Sequence, residues 1–191
     1  ARVQQTRNAL KGIMVGIGTV LNDDPMLTCR IPDGRNPIRI ICDSKLRIPL
    51  SSQVVTTAKE IPTIVATVEP HADYMRFWNE QKQALEQQGV EVLVVAEQAG
   101  RLNLFNLMVK LGERQIDGIL LEGGSTLNYA ALQAGIVKRI EVYVAPKLFG
   151  GAGLYTPVGG EGVDLATDGM KCQLLTVDKI GEDILLTYDV L

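Results

Sequence analysis

The clearest chemical signal in the sequence is a run of five residues, Glu122-Gly123-Gly124-Ser125-Thr126. Two glycines let backbone N–H groups approach a ligand closely. Ser125 and Thr126 add hydroxyl donors, and a helix starting there supplies partial positive charge. Together these suit a phosphate or pyrophosphate. The same residues also read as a tight strand-to-helix turn with Ser125 as N-cap, since short Gly-Gly turns are common. A phosphate cradle by itself gives Glu122 no role.

A second stretch, Thr19-Val20-Leu21-Asn22-Asp23-Asp24-Pro25-Met26-Leu27-Thr28-Cys29-Arg30, is unusual in composition. Adjacent carboxylates repel, and Asp24-Pro25 starts a turn. In one reading this is a loop of polar hooks in which Arg30 clamps a phosphate through two N–H groups. In the other it is a solvated acidic turn with a surface arginine. A Mg²⁺ site is a further option, resting on the two neighbouring carboxylates Asp23 and Asp24 alone. Arg7 is open to the same two readings, ligand contact or surface charge. Ser44-Lys45-Leu46-Arg47 places a hydroxyl and two cations at a strand end, fit either for the 2′-phosphate of NADPH or for an exposed basic turn.

Other chemistries lack their residues. The single histidine, His71, lies beside Pro70 and Asp73 and reads as a loop or capping residue. No Gly-x-Ser-x-Gly elbow supports a Ser-His-Asp triad. The zinc-deaminase pattern of His-x-Glu with Pro-Cys-x-x-Cys is absent, as is the P-loop. In Gly16-Ile17-Gly18 the third glycine of a Rossmann fingerprint is replaced by Leu21. A phosphate-type cradle without a protein nucleophile favours chemistry carried by a bound cofactor, and hydride transfer fits.

The elements that must position these residues alternate between strand and helix. A helical face through Val3 and Leu10 precedes a buried strand that opens into a glycine-rich turn over Gly12–Thr19. Further strands are expected at Ile38–Cys42, Thr63–Thr67, Val90–Val95, Gly118–Leu121 and Arg139–Val144. Tyr74, Phe77, Trp78 and Leu85 fit one helical face ending near Gly89. Asn103 is a good N-cap for a helix with Leu104, Leu107, Met108 and Leu111 on one side. Leu127, Ala130, Ala131 and Ala134 mark a helix closed by Gly135. Two last strands flank Gly181-Glu182-Asp183 as an antiparallel hairpin. Repeated strand–helix units imply an α/β fold with a mostly parallel sheet covered by helices on both faces.

With 191 residues, the chain suffices for one domain with a substantial core. A formal charge of −3 leaves no global basic field for nucleic acid, so none is expected as partner. Cys29, Cys42 and Cys172 are odd in number and lack Cys-x-x-Cys spacing, so reduced cytoplasmic thiols are expected, with neither a disulfide framework nor a metal. No apolar run reaches the ~18 residues of a membrane span. The opening Ala1-Arg2-Val3-Gln4 reads as the middle of a helix, so an upstream segment is expected.

The run Gly16–Arg30 resembles the G-x-x-T-V-L-x-D-D-P-x-L-T-x-R signature of the bacterial riboflavin-biosynthesis reductase domain. Pro37–Ser44, Leu121–Leu127 and Ala145–Gly151 resemble further segments of that family, in order, so nearly the whole chain is covered. The resemblance implies a dihydrofolate-reductase-like fold. It implies NADPH-dependent reduction of the ribosyl group of 5-amino-6-(5-phosphoribosylamino)uracil, with hydride going to C1′ of the ring-opened imine. Carried over residue by residue, Arg7, Leu27, Arg30 and Glu122 would contact the substrate, the two arginines suiting its phosphate. Thr19, Asp23, Ser44, and Gly124, Ser125, Thr126, Leu127, Asn128, Tyr129 and Ala130 would contact NADPH. No residue is assigned as catalytic acid or base.

The resemblance also implies a homodimer or homotetramer. Residues 1–191 would form one reductase domain that lacks the family's usual first strand. In many bacteria such a domain follows a zinc deaminase domain, so the chain is either part of a bifunctional enzyme or a stand-alone form. Two alternatives remain beside this reading: a related reductase acting on another pterin or pyrimidine, and a nucleotide-binding module without catalysis.

Overall fold

Apolar runs rich in β-branched residues are stable in extended form when both faces are covered, and five of them here build one parallel sheet. The computed structural model describes residues 2–148 and 156–191. In chain order its main elements are α1 (Arg2–Ala9), β1 (Gly12–Gly16), α2 (Ile17–Asp23), β2 (Ile38–Cys42), α3 (Gln53–Thr56), β3 (Thr63–Thr67), α4 (Met75–Gln87) and β4 (Glu91–Val94). There follow β5 (Glu97–Gln98), β6 (Arg101–Leu102), α5 (Leu104–Glu113), β7 (Ile119–Gly123), α6 (Ser125–Gln133), β8 (Arg139–Val144), β9 (Cys172–Ile180) and β10 (Asp183–Val190). The parallel sheet has the order β4-β3-β2-β1-β7. Its register aligns Ile13 with Arg39 and Leu120.

Successive strand residues point to opposite faces, and the core divides accordingly. Ile13, Val15, Ile41 and Val65 pack on one side with Val54, Val55, Trp78 and Leu85 from α3 and α4. Met14, Ile40, Ile64 and Leu93 pack on the other with Leu107, Leu111 and Ala131 from α5 and α6. The α/β class with helices on both faces is the one the sequence implies. The last three strands form their own antiparallel sheet, β8-β10-β9, and among the described residues no hydrogen-bonded ladder joins it to the parallel one. The hairpin partners β8, not the parallel sheet, because β10 bonds β9 along one edge and β8 along the other.

Four local expectations need correction. The glycine-rich turn after β1 is instead the helix α2, which begins at Ile17, because Ile17 and Val20, three apart, both face the core. Tyr74 and Phe77 stand 69% and 63% exposed, so the buried face of α4 runs through Trp78 and Leu85, two turns apart. The fifth parallel strand continues through Gly123, which puts Glu122 on the strand itself. Finally, the N-cap of α6 is Gly124, not Ser125: its φ of 88° is strained for any residue with a Cβ.

Candidate active site

Open α/β sheets bind ligands beyond the carboxyl ends of their strands. Here those ends border a cleft of about 790 Å³, the size range of a cofactor site. It is lined by Gly16–Thr19, Asn22 and Asp23 after β1, by Cys42, Ser44, Lys45 and Arg47 after β2, and by Gly124–Leu127 and Ala130 after β7. Thr19, Asp23, Ser44, Gly124, Ser125, Thr126, Leu127 and Ala130, far apart in sequence, are thus gathered around one space. The first α6 backbone bond runs from Asn128 N to Gly124 O at 2.9 Å. The amides of Ser125, Thr126 and Leu127 therefore have no intrahelical acceptor, and no acidic side chain stands in the first turn. The chemistry of this donor set fits an anionic phosphate, so the cleft suits a dinucleotide.

Asn128 and Tyr129 do not line that cleft. Asn128 Nδ2 donates to Pro157 O at 2.8 Å, and Tyr129 Oη donates to Gly162 O at 2.6 Å. Both residues hold the segment 156–162 against α6. The physical reason is helical: at 100° per residue, a first turn that turns Thr126 and Leu127 to the cleft turns Asn128 and Tyr129 away from it.

Glu122 and Arg7 form a clip between distant parts of the chain. Arg7 Nε donates to Glu122 Oε1 at 2.7 Å and Nη2 donates to Oε2, a bidentate pair. Arg7 Nη1 donates to Thr28 O at 2.7 Å. One guanidinium therefore ties α1, the loop after α2 and β7 together, using three of its five N–H donors. Arg30 differs: it is exposed, and its backbone N donates to Gln4 Oε1 at 2.6 Å. Leu27 packs its side chain in the core at 4% exposure while its backbone takes φ 52°, so the loop is anchored there. Asp24 caps α2 in the left-handed region, and its Oδ1 accepts from Gln53 N at 2.8 Å. Asp23 stays exposed on the cleft. Among the described residues no cluster of metal-ligating side chains occurs. Phe149, Gly150 and Gly151 of the Ala145–Gly151 motif lie outside the described residues.

Three features escaped sequence reasoning. Arg39, fully buried in β2, donates to Thr63 Oγ1 at 2.9 Å, Thr57 Oγ1 at 2.8 Å, Val54 O at 3.0 Å, Ile61 O at 2.8 Å and Met26 O at 3.4 Å. Burial lowers its pKa to about 10. It braces the start of the loop that carries Leu27 and Arg30. The available signal was an arginine inside an apolar strand run, which has to find partners when both faces are covered.

Asp43 follows β2, also fully buried, and its Oδ2 accepts from Ile48 N at 2.8 Å. Burial raises its pKa, against the opposing pull of the Ile48, Arg47 and Lys45 backbone N–H groups and of the Arg47 charge. The turn it organises buries Leu46 and Ile48 and turns Lys45 and Arg47 outward. Neighbouring Cys42 is pushed up to about 12 by burial and by Asp43, so it is a thiol and no nucleophile. The third feature is the hairpin β5–β6, whose Ala99–Leu102 also line the cleft.

Comparison with known proteins agrees with this architecture. A family profile described as "RibD C-terminal domain" matches residues 1–186. The riboflavin biosynthesis protein RibD of Actinobacillus pleuropneumoniae is 50% identical over all of this chain, which spans 49% of that protein. The 2,5-diamino-6-ribosylamino-4(3H)-pyrimidinone 5′-phosphate reductase of Methanothermobacter thermautotrophicus is 38% identical over 99% of this chain and 84% of its own. A solved Thermotoga maritima deaminase/5-amino-6-(5-phosphoribosylamino)uracil reductase superposes with a TM-score of 0.79 at 27% identity, covering all of this chain and 48% of that one. The chain thus spans about half the length of the RibD relatives it matches.

Proposed function

This chain belongs to the RibD C-terminal domain family, and from that premise we propose that residues 1–191 form a reductase domain of riboflavin biosynthesis. The proposed reaction is NADPH-dependent reduction of 5-amino-6-(5-phosphoribosylamino)uracil to its ribitylamino product. The observation that carries it is the dinucleotide-sized cleft over the α6 N-terminus, with the Arg7–Glu122 clip on the adjoining end of β7. When bound, the nicotinamide supplies the hydride that reduces the sugar C1′. The chain's own residues bind and orient. The free amides of Ser125, Thr126 and Leu127 hold the pyrophosphate. Thr19, Asp23 and Ser44 line the way to the adenosine end, and Asn128 and Tyr129 steady α6 from behind.

On the substrate side, Arg7 fixes the Glu122 carboxylate in one orientation, and Glu122 accepts hydrogen bonds from the substrate. Arg30, exposed and in no ion pair among the described residues, is a cation for the substrate phosphate, and Leu27 offers its backbone. Bringing the two reactants together in fixed orientation is the main catalytic contribution of such a site. No side chain is assigned as proton donor. We also propose a cytoplasmic homo-oligomer. Exposed Leu174, Val177 and Ile184 on β9 and β10 are the support for an interface, and no helix of the described residues is long and apolar enough to cross a membrane.

A second reading differs by one exocyclic group: the 2,5-diamino pyrimidinone phosphate named for the Methanothermobacter relative. Purified protein supplied with NADPH and each pyrimidine in turn, with dihydrofolate as control, tests these readings. Turnover of the uracil compound in preference to the diamino compound is expected. The reverse preference selects the second reading, turnover of dihydrofolate alone points to a pterin reductase, and no NADPH oxidation by folded protein sinks the proposal.

A further inference from the structure

We propose that Arg101, on the β5–β6 hairpin, is a specificity-determining contact to the 2′-phosphate of the dinucleotide, acting from the wall facing Lys45 and Arg47. The inference rests on the NADPH reading above and adds a residue that neither the family resemblance nor the site motifs include. Its first support is charge. The charged side chains lining the cleft are Lys45, Arg47 and Arg101 against Asp23. Arg47 Nε lies 3.8 Å from Oδ1 of the buried Asp43, so the local excess of cations rests on Lys45 and Arg101, on a chain whose formal charge is −3. Arg101 is exposed and, among the described residues, no carboxylate lies within ion-pair distance of its guanidinium.

The second support is the way the chain holds the hairpin. Glu97 pairs with Leu102 and Gln98 with Arg101, and a ladder so short has no stability of its own. The turn between them places Ala99 and Gly100 at φ 51° and 73°, a two-residue turn with both residues left-handed, which is costly for alanine. The surroundings hold it. Leu102 and Leu104 enter the core at 9% and 6% exposure. Asn103 N donates to Ala96 O at 2.9 Å, Asn106 N donates to Asn103 Oδ1 at 2.8 Å, and Ala96 N donates to Asn106 Oδ1 at 2.9 Å. A closed set of bonds at the hairpin base therefore holds the backbone that carries Arg101 at the cleft.

The third support is spacing. In the order β4-β3-β2-β1-β7, the α6 amides lie at the end of β7 and the Lys45–Arg47 turn at the end of β2. At ~4.8 Å per strand these are about 10 Å apart. A pyrophosphate on α6 thus directs the adenosine ribose toward the β2 end, between the Lys45–Arg47 turn and the hairpin. A phosphate there meets cations from two walls, where an unphosphorylated ribose presents none of that charge.

The test compares NADPH and NADH turnover, and binding of adenosine 2′,5′-bisphosphate and 5′-AMP by calorimetry, for the full protein and its Arg101→Ala and Arg101→Lys variants. A lost charge-assisted hydrogen bond corresponds to roughly a 10- to 100-fold weakening. Arg101→Ala should lower kcat/KM for NADPH at least tenfold more than for NADH, with Arg101→Lys restoring part of the difference. It should also abolish most of the preference for the bisphosphate over 5′-AMP. Equal losses with both cofactors, or an unchanged bisphosphate preference, would overturn the assignment while leaving the NADPH reading intact. Failure of the wild-type protein to oxidise NADPH would count against that reading instead, and the calorimetry would still judge Arg101.

Discussion

Replacing Arg7 with methionine removes one guanidinium from three hydrogen bonds, two to Glu122 and one to Thr28 O. The Arg7 and Glu122 side chains are 12% and 18% exposed, so water screens the pair only in part. At roughly 1.5 kcal/mol for each hydrogen bond to a charged group, Arg7→Met should destabilise the fold by about 4 kcal/mol. Glu122→Gln keeps the shape but removes the charge, and should cost about 2 kcal/mol. In the double variant the second change has little left to break, so the total should remain near the Arg7→Met value, giving a coupling energy of about 2 kcal/mol.

Urea unfolding of the four proteins at fixed pH and salt measures this, with unchanged slopes confirming a comparable unfolded state. Losses that add within about 0.5 kcal/mol would refute the clip as an energetic unit. The same variants carry a kinetic expectation. Because the clip stands on the proposed substrate side, both single changes should lower kcat/KM for the pyrimidine while leaving the KM for NADPH nearly unchanged.

Gly124→Ala places a Cβ on a residue with φ 88°, a strain of about 1–3 kcal/mol that α6 relieves by shifting. The KM for NADPH should rise about tenfold, and an unaltered KM would show that the α6 amides do not hold the pyrophosphate. Asp43→Asn should change stability in a pH-dependent way. Burial raises the folded pKa of Asp43 above its ordinary 3.8, so the folded state binds the proton more tightly than the unfolded one. The native protein is then penalised increasingly as pH rises from about 3.8 through that raised value, and the penalty levels off above it. Asparagine has no such penalty, so the variant should gain on the native protein across that window; a stability difference that stays flat from acid to neutral pH would refute the assignment of the raised pKa.

Much of this architecture was legible in the sequence because its signals are local. The runs at Gly12–Gly16, Ile38–Cys42 and Thr63–Thr67 are apolar and β-branched, and Asn103 carries its cap within three residues, accepting from Asn106 N. The Glu122–Thr126 run combines its glycines and hydroxyls in adjacent positions, so its suitability for phosphate is written in the residue types themselves. Only the tertiary structure decided what depends on residues distant in sequence. Arg7 and Glu122 lie 115 positions apart, and nothing in either neighbourhood specifies that they bond. Arg39 and Asp43 read as polar residues at a strand and its end. It is the packing around β2 that buries them, leaving one to serve five acceptors and the other to organise a turn. The β5–β6 hairpin has no strand signal in Glu97-Gln98-Ala99-Gly100-Arg101-Leu102, since its backbone is held from outside, by Leu102 in the core and by Asn106. Local propensity sets which elements form. The side chains that meet at the ends of those elements are set by sheet order, because parallel strands bring the carboxyl ends of β1, β2 and β7 together whatever their separation along the chain.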